Sequence, residues 1–223
     1  MPTLAGTLVL LALVAGAFAL LLPHLGAFLA QTERAASEGG GARLLVVEGW
    51  LDDDALDDAI VFARNGHYER VVTSGGPIEG WHELQPWRTS AERAAAYLRW
   101  RGIGGTPVTA VPAPELAQDR SYISAVVVRD WAKAQGLSPA ALDVFTAGVH
   151  ARRSRLVYRM AFGSAVEVGI VAAPPRRYRL DRWWQTSEGA KAVLDELVAL
   201  AWTKCCFWPG EASAAPIGSR PAP

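Results

Sequence analysis

Five short apolar runs, each followed by a stretch with helical spacing, set what this chain can fold into. The runs are residues 44–47, 70–73, 107–111, 142–146 and 166–172. After the first, residues 52–65 place Ala55, Leu56, Ala59, Ile60, Phe62 and Ala63 at helical intervals, with acidic residues in the opening turns and Gly66 at the end. Helices are expected likewise over 89–101, where Thr89 or Ser90 precedes Glu92, and over 119–135, 151–162 and 186–206. Strands alternating with helices give a mostly parallel five-stranded sheet covered on both faces, an α/β domain. In such a sheet ligands sit outside the carboxyl ends of the strands.

Ahead of this domain, residues 3–22 are apolar or small apart from two threonine hydroxyls, and the apolar character resumes to residue 30. Twenty such residues at a helical rise span a bilayer core, so residues 1–30 are expected to be a transmembrane anchor. The rival is a cleaved signal peptide, for which Ala17-Phe-Ala19 would serve as a cleavage site; the run continues past that point, and no Lys or Arg precedes it. Orientation is open, since the first basic residue, Arg34, follows the helix. Glycine-rich residues 31–42 read as a flexible tether, 43–208 as the α/β domain, and the Pro/Ala/Gly/Ser-rich residues 209–223 as a disordered tail. Twenty-two basic residues balance 22 acidic ones, which argues against nucleic acid as a partner and makes any electrostatic recognition local. Adjacent Cys205 and Cys206 are not an ordinary structural pair and leave the compartment unread.

The polar residues of interest fall where the strand-end rule puts them. After the fourth run the chain turns at Gly148 and restarts as a basic helix carrying His150, Arg152, Arg153 and Ser154. A helix N-terminus with unpaired N–H groups and Arg forks is an anion site in outline. Glu48 ends the first strand beside Gly49, which admits backbone or ligand closely; the carboxylate suits a general base, an arginine partner or a cap. Ser74, Gly75 and Gly76 end the second strand, without a complete dinucleotide fingerprint or a phosphate-binding P-loop. Asp119, Arg120 and Ser121 open the helix after the third; N-capping explains Asp119, leaving Arg120 as a second cation. Trp183 and Trp184 are either a rim over the ligand site or caps on the core. Nothing requires a metal or identifies a cofactor, although Glu48, Glu115 and Asp119 have the oxygens a hard cation takes.

Val46-Val-Glu-Gly-Trp50, Thr73-Ser-Gly-Gly76, Thr89-Ser-Ala-Glu92, Asp119-Arg-Ser-Tyr-Ile-Ser-Ala125, Gly148-Val-His-Ala-Arg-Arg-Ser154 and Trp183-Trp184 carry a family resemblance in their order and spacing. Over residues 44–207 the chain resembles the ElyC/SanA/YdcF-like family of bacterial envelope proteins; Glu48-Gly49-Trp50 departs from the Gly-Gly that many relatives have there. The resemblance implies a Rossmann-like three-layer α/β sandwich tethered to the inner membrane by one helix, on its extracytoplasmic side, with a role in envelope or peptidoglycan biogenesis and no established reaction. The expected function is binding of an anionic, phosphorylated small molecule or lipid-linked precursor. Glu48 or His150 would move the proton if phosphate hydrolysis or transfer occurs. A non-catalytic scaffold using the tryptophan rim, and a binder of a nucleotide-like ligand on the cytoplasmic side, are the alternatives.

Overall fold

The structure, a computed structural model, describes residues 3–35, 43–115 and 119–209. Its elements are α1 (Leu4–Leu29), β1 (Arg43–Glu48), α2 (Asp53–Asn65), β2 (Arg70–Gly75), α3 (Ser90–Arg101), β3 (Val108–Pro112), α4 (Arg120–Ala134), β4 (Ala141–Ala147), α5 (Ala151–Phe162), β5 (Glu167–Ala173) and α6 (Ser187–Cys205). Short 3-10 segments, Gly148–His150 and Leu180–Gln185, precede α5 and α6. The strands run in the order β3-β2-β1-β4-β5, every pair parallel. The order reverses between β1 and β4, the place where such sheets open a crevice.

Parallel strands buried on both faces explain why their sequences read as continuous apolar runs. Leu44, Val46, Val72, Leu142, Val144 and Ile170 face α4 and α5, while Leu45, Val47, Val71, Phe145 and Val171 face α2 and α3. The helix starts follow the expected chemistry. Asp52 accepts from Ala55 N–H, and Thr89 with Glu92 forms a reciprocal capping box. Asp119 differs: it sits in the left-handed region (φ 58°) and makes no side-chain cap hydrogen bond, so capping does not account for it.

Helix α1 is long and apolar enough to cross a membrane. The described side chains of residues 4–21 are exposed; at 1.5 Å per residue this length of helix spans about 27 Å, close to a bilayer core. Its last two turns then join the fold. Leu22, Leu25 and Leu29 pack with Val149, Trp183, Val193 and Leu200. Gly26 lies so close to Leu180 that a Cβ would come within 2.3 Å of its carbonyl oxygen.

The segment expected to begin a flexible tether is instead docked. Glu33 exchanges backbone hydrogen bonds with Ile170 on the outer edge of β5, and Thr32 Oγ1 accepts from Ala172 N–H. Arg155 donates to both Glu33 oxygens. Ala35 N–H donates to Asp143 Oδ1 at 2.7 Å, over Gly169, where a Cβ would collide with both atoms. Residues 36–42 and the tail from 210 lie outside the described residues. Cys205 and Cys206 are paired with each other at the end of α6.

Candidate functional site

At the carboxyl ends of β1, β2 and β3, flanked by the starts of α3, α4 and α5, lies a cleft of about 1500 Å³. Its base is the Glu48 carboxylate, only 4 % exposed. Thr146 and Trp50 donate to Glu48 Oε2 at 2.5 and 3.0 Å, and Ser154 donates to Oε1 at 2.9 Å. Three neutral donors thus solvate a buried carboxylate that would otherwise be costly to desolvate. Beside it Ser74 Oγ bonds the Tyr158 hydroxyl at 3.0 Å, and burial, with the Glu48 charge second, pushes that phenol well above the ordinary tyrosine range.

Behind the wall formed by His150 and Arg153 stands a residue with no marked motif, Glu196 of α6. Its carboxylate takes His150 Nδ1 at 2.5 Å and is gripped side-on by Arg153, Nε to Oε2 at 2.8 Å and Nη2 to Oε1 at 2.9 Å. Burial alone would raise its pKa, but the hydrogen bonds from Arg153 and His150 outweigh that and hold it at about 2. An ionised carboxylate only accepts, so Nδ1 of His150 is the donor in this contact. Arg153 Nη2 lies 3.0 Å from both ring nitrogens, and the Trp50 ring meets the imidazole edge-on at 4.9 Å. Burial lowers the Arg153 pKa, yet pairing with Glu196 wins and raises it. With Nε and Nη2 committed to Glu196, Nη1 points to Ser121 Oγ, 3.2 Å away on the cleft wall.

Of the residues expected at the site, Glu48, Ser74, Gly75, Gly76, Arg120, Ser121, His150 and Arg153 do line the cleft. Arg120 sits at its exposed mouth in an ion pair with Glu79. The others go elsewhere for physical reasons. Arg152 turns to α1, donating to the Phe28 carbonyl and lying 3.9 Å from the centre of the Phe28 ring. Ser154 is fully buried behind Glu48. The space beside Gly49 holds the backbone of Ser90, so a Cβ there would meet helix α3 and not a ligand. Trp183 is a core residue, 3 % exposed, donating to the Leu22 carbonyl; Trp184 packs edge-on against it, and neither lines the cleft. Glu48, Glu115 and Asp119 are not brought together as metal ligands, and among the described residues no group of three His, Cys, Asp or Glu side chains is.

No family model, curated protein or solved structure matches this chain. The geometry therefore carries the functional argument. Glu196 left one trace in the sequence: it falls on the buried stripe of α6, three residues after Val193 and four before Leu200. A carboxylate on an apolar stripe requires a partner, and nothing local supplies one.

Proposed function

We propose that this is a membrane-anchored protein of the bacterial cell envelope whose cleft binds a phosphorylated small molecule or lipid-linked precursor. The observation that carries the reading is the fixing of Arg153 and His150 side by side by one buried carboxylate. A guanidinium held on one edge keeps its other edge, here Nη1 beside Ser121, for a ligand oxygen at little further cost in side-chain entropy. The imidazole, oriented by Glu196 on the cleft wall, is the first candidate for proton transfer at a phosphate, with Glu48 the second. The ElyC/SanA/YdcF-like resemblance supports the envelope setting, the extracytoplasmic side and the inner membrane. The scaffold alternative relied on a tryptophan rim, and the burial of Trp183 takes away half of it.

Thermal unfolding of the full chain in detergent, against sugar phosphates, nucleotides and lipid-headgroup phosphates paired with their unphosphorylated parents, tests this. A ligand selective for the native state at 100 times its Kd adds about 2.7 kcal/mol of stability. Phosphorylated members should raise the midpoint and their parents should not. Equal shifts from both, or none from either, would overturn the reading.

A further inference from the structure

The outer face of α6 is a large apolar surface that no other described residue covers, and it lies beside the chain's own apolar helix α1. Leu194, Val198 and Trp202 repeat at four-residue intervals and are 53 %, 71 % and 59 % exposed; Trp208, just beyond the helix, is 84 % exposed. Exposed Ala201 and the Cys205–Cys206 pair continue the stripe. Lys191 and Lys204 mark its two ends, and Asp195 borders the stripe on the side of Val198 and Trp202, facing the groove between α6 and α4.

Two placements say what covers this face. First, the turn-neighbours of the stripe, Val193, Leu197 and Leu200, pack in one cluster with Leu22, Leu25 and Leu29 of α1. The apolar surface of α1 therefore continues onto α6 with only a rotation of about 100° per residue between the packed and the open face. Second, α1 meets the domain at the carboxyl end of the sheet. It packs on the 3-10 segments that follow β4 and β5 and on α5 and α6. From there the chain runs back along β5, from Ala172 towards Gly169. The exposed length of α1 thus leaves from the edge that carries the cleft, and α6 lies at that edge as well, since its Glu196 holds His150 and Arg153, which line the cleft.

We propose that α6 is an interfacial helix, its Leu194–Val198–Trp202 face and Trp208 seated in the headgroup region of the bilayer that α1 spans. Amphipathic helices bind membranes through such a face, Trp favours the interface, and lysines at the ends extend to the phosphates. Seating α6 holds the cleft at the bilayer surface, so its ligand is taken from lipid headgroups. The groove lined by Val198, Trp202 and Phe207 shares Arg120, Ser121 and Arg153 with the cleft, which gives a hydrocarbon chain a path alongside. This inference rests on the membrane-anchor part of the function proposed above.

The test is tryptophan quenching in the full chain, reconstituted into phosphatidylcholine vesicles with and without bromine on the upper acyl carbons. Wild type is compared with the double variant Trp202→Phe/Trp208→Phe and with Trp100→Phe, an exposed indole on α3 at the other face of the sheet. Exposed Trp→Phe changes leave the packing intact. The double variant should lose most of the lipid-dependent quenching, and Trp100→Phe should keep all of it. Undiminished quenching in the double variant, with the protein sedimenting with the vesicles, overturns the seating of α6 and leaves the anchor standing. Protein that does not sediment with the vesicles overturns the anchor and the seating together. Dimers whose Trp202 is shielded from brominated lipid would assign the face to a second copy, which also overturns it. No phosphate ligand enters the measurement, so its result is separable from that of the ligand panel.

Discussion

Replacing Glu196 by alanine costs the folded domain about 3–5 kcal/mol, because it leaves the buried Arg153 guanidinium without its counter-charge. Both side chains are largely hidden, 17 % and 13 % exposed, so water cannot replace the missing partner cheaply. The same carboxylate makes stability depend on pH in a definite direction. Its folded pKa of about 2 lies below the ordinary 4.5, so its contribution is fully present above about pH 4.5 and is lost as pH falls towards 2. A shift of that size corresponds to about 3 kcal/mol. In thermal unfolding of the full chain in detergent, the gap between wild type and Glu196→Gln should hold from pH 7 to about 5 and close by about pH 2. A gap unchanged at the lowest pH would mean that the Glu196 charge does not hold the wall together.

Asp143→Ala is the second large effect, about 3–6 kcal/mol. Asp143 is 1 % exposed in the middle of β4 and is the acceptor for Ala35 N–H and for the Tyr68 hydroxyl, with Arg34 at 3.9 Å. Two hydrogen bonds to a charged acceptor, at about 1.5–3 kcal/mol each, give that range. Burial, followed by the bond to Asp143, raises the Tyr68 pKa far above the usual phenol range, the counterpart of a strong donor–carboxylate contact. The consequence reaches α1: without this acceptor the segment between α1 and the sheet loses its inner fastening, so the Ala35 amide should exchange with solvent faster along with the fall in unfolding temperature. Ala35 protection unchanged in a destabilised variant would confine the role of Asp143 to the core.

The alternation of strand and helix was legible because a strand buried on both faces needs an unbroken apolar run, and Leu44 to Val47 has no other use. Helix ends were legible where a local cap decides them, as at Asp52 and Thr89. What escaped is tertiary in origin. Arg152 and Arg153 are adjacent and chemically equal, and which one faces the cleft is decided by α1 docking against Phe28, more than 120 residues away. Glu196 is over 40 residues from both its partners on a helix with no motif. The polar composition of residues 31–35 suggests a tether, and only the open edge of β5, with Gly169 leaving room, turns it into a docked strand. Trp183 reads as rim or core in the sequence, and the Leu22 carbonyl that takes its N–H places it in the core.

Equilibrium binding of the most stabilising phosphorylated ligand to the full chain, compared across Arg153→Lys and Arg152→Ala, tests the central claim most directly. Lysine keeps the charge but cannot grip Glu196 and present a free N–H edge together, and one charge-assisted hydrogen bond is worth about 1.5–3 kcal/mol. The account predicts binding weakened about tenfold or more in Arg153→Lys and unchanged in Arg152→Ala. Unchanged affinity in Arg153→Lys with a loss in Arg152→Ala would place the anion at the α1 junction and contradict it.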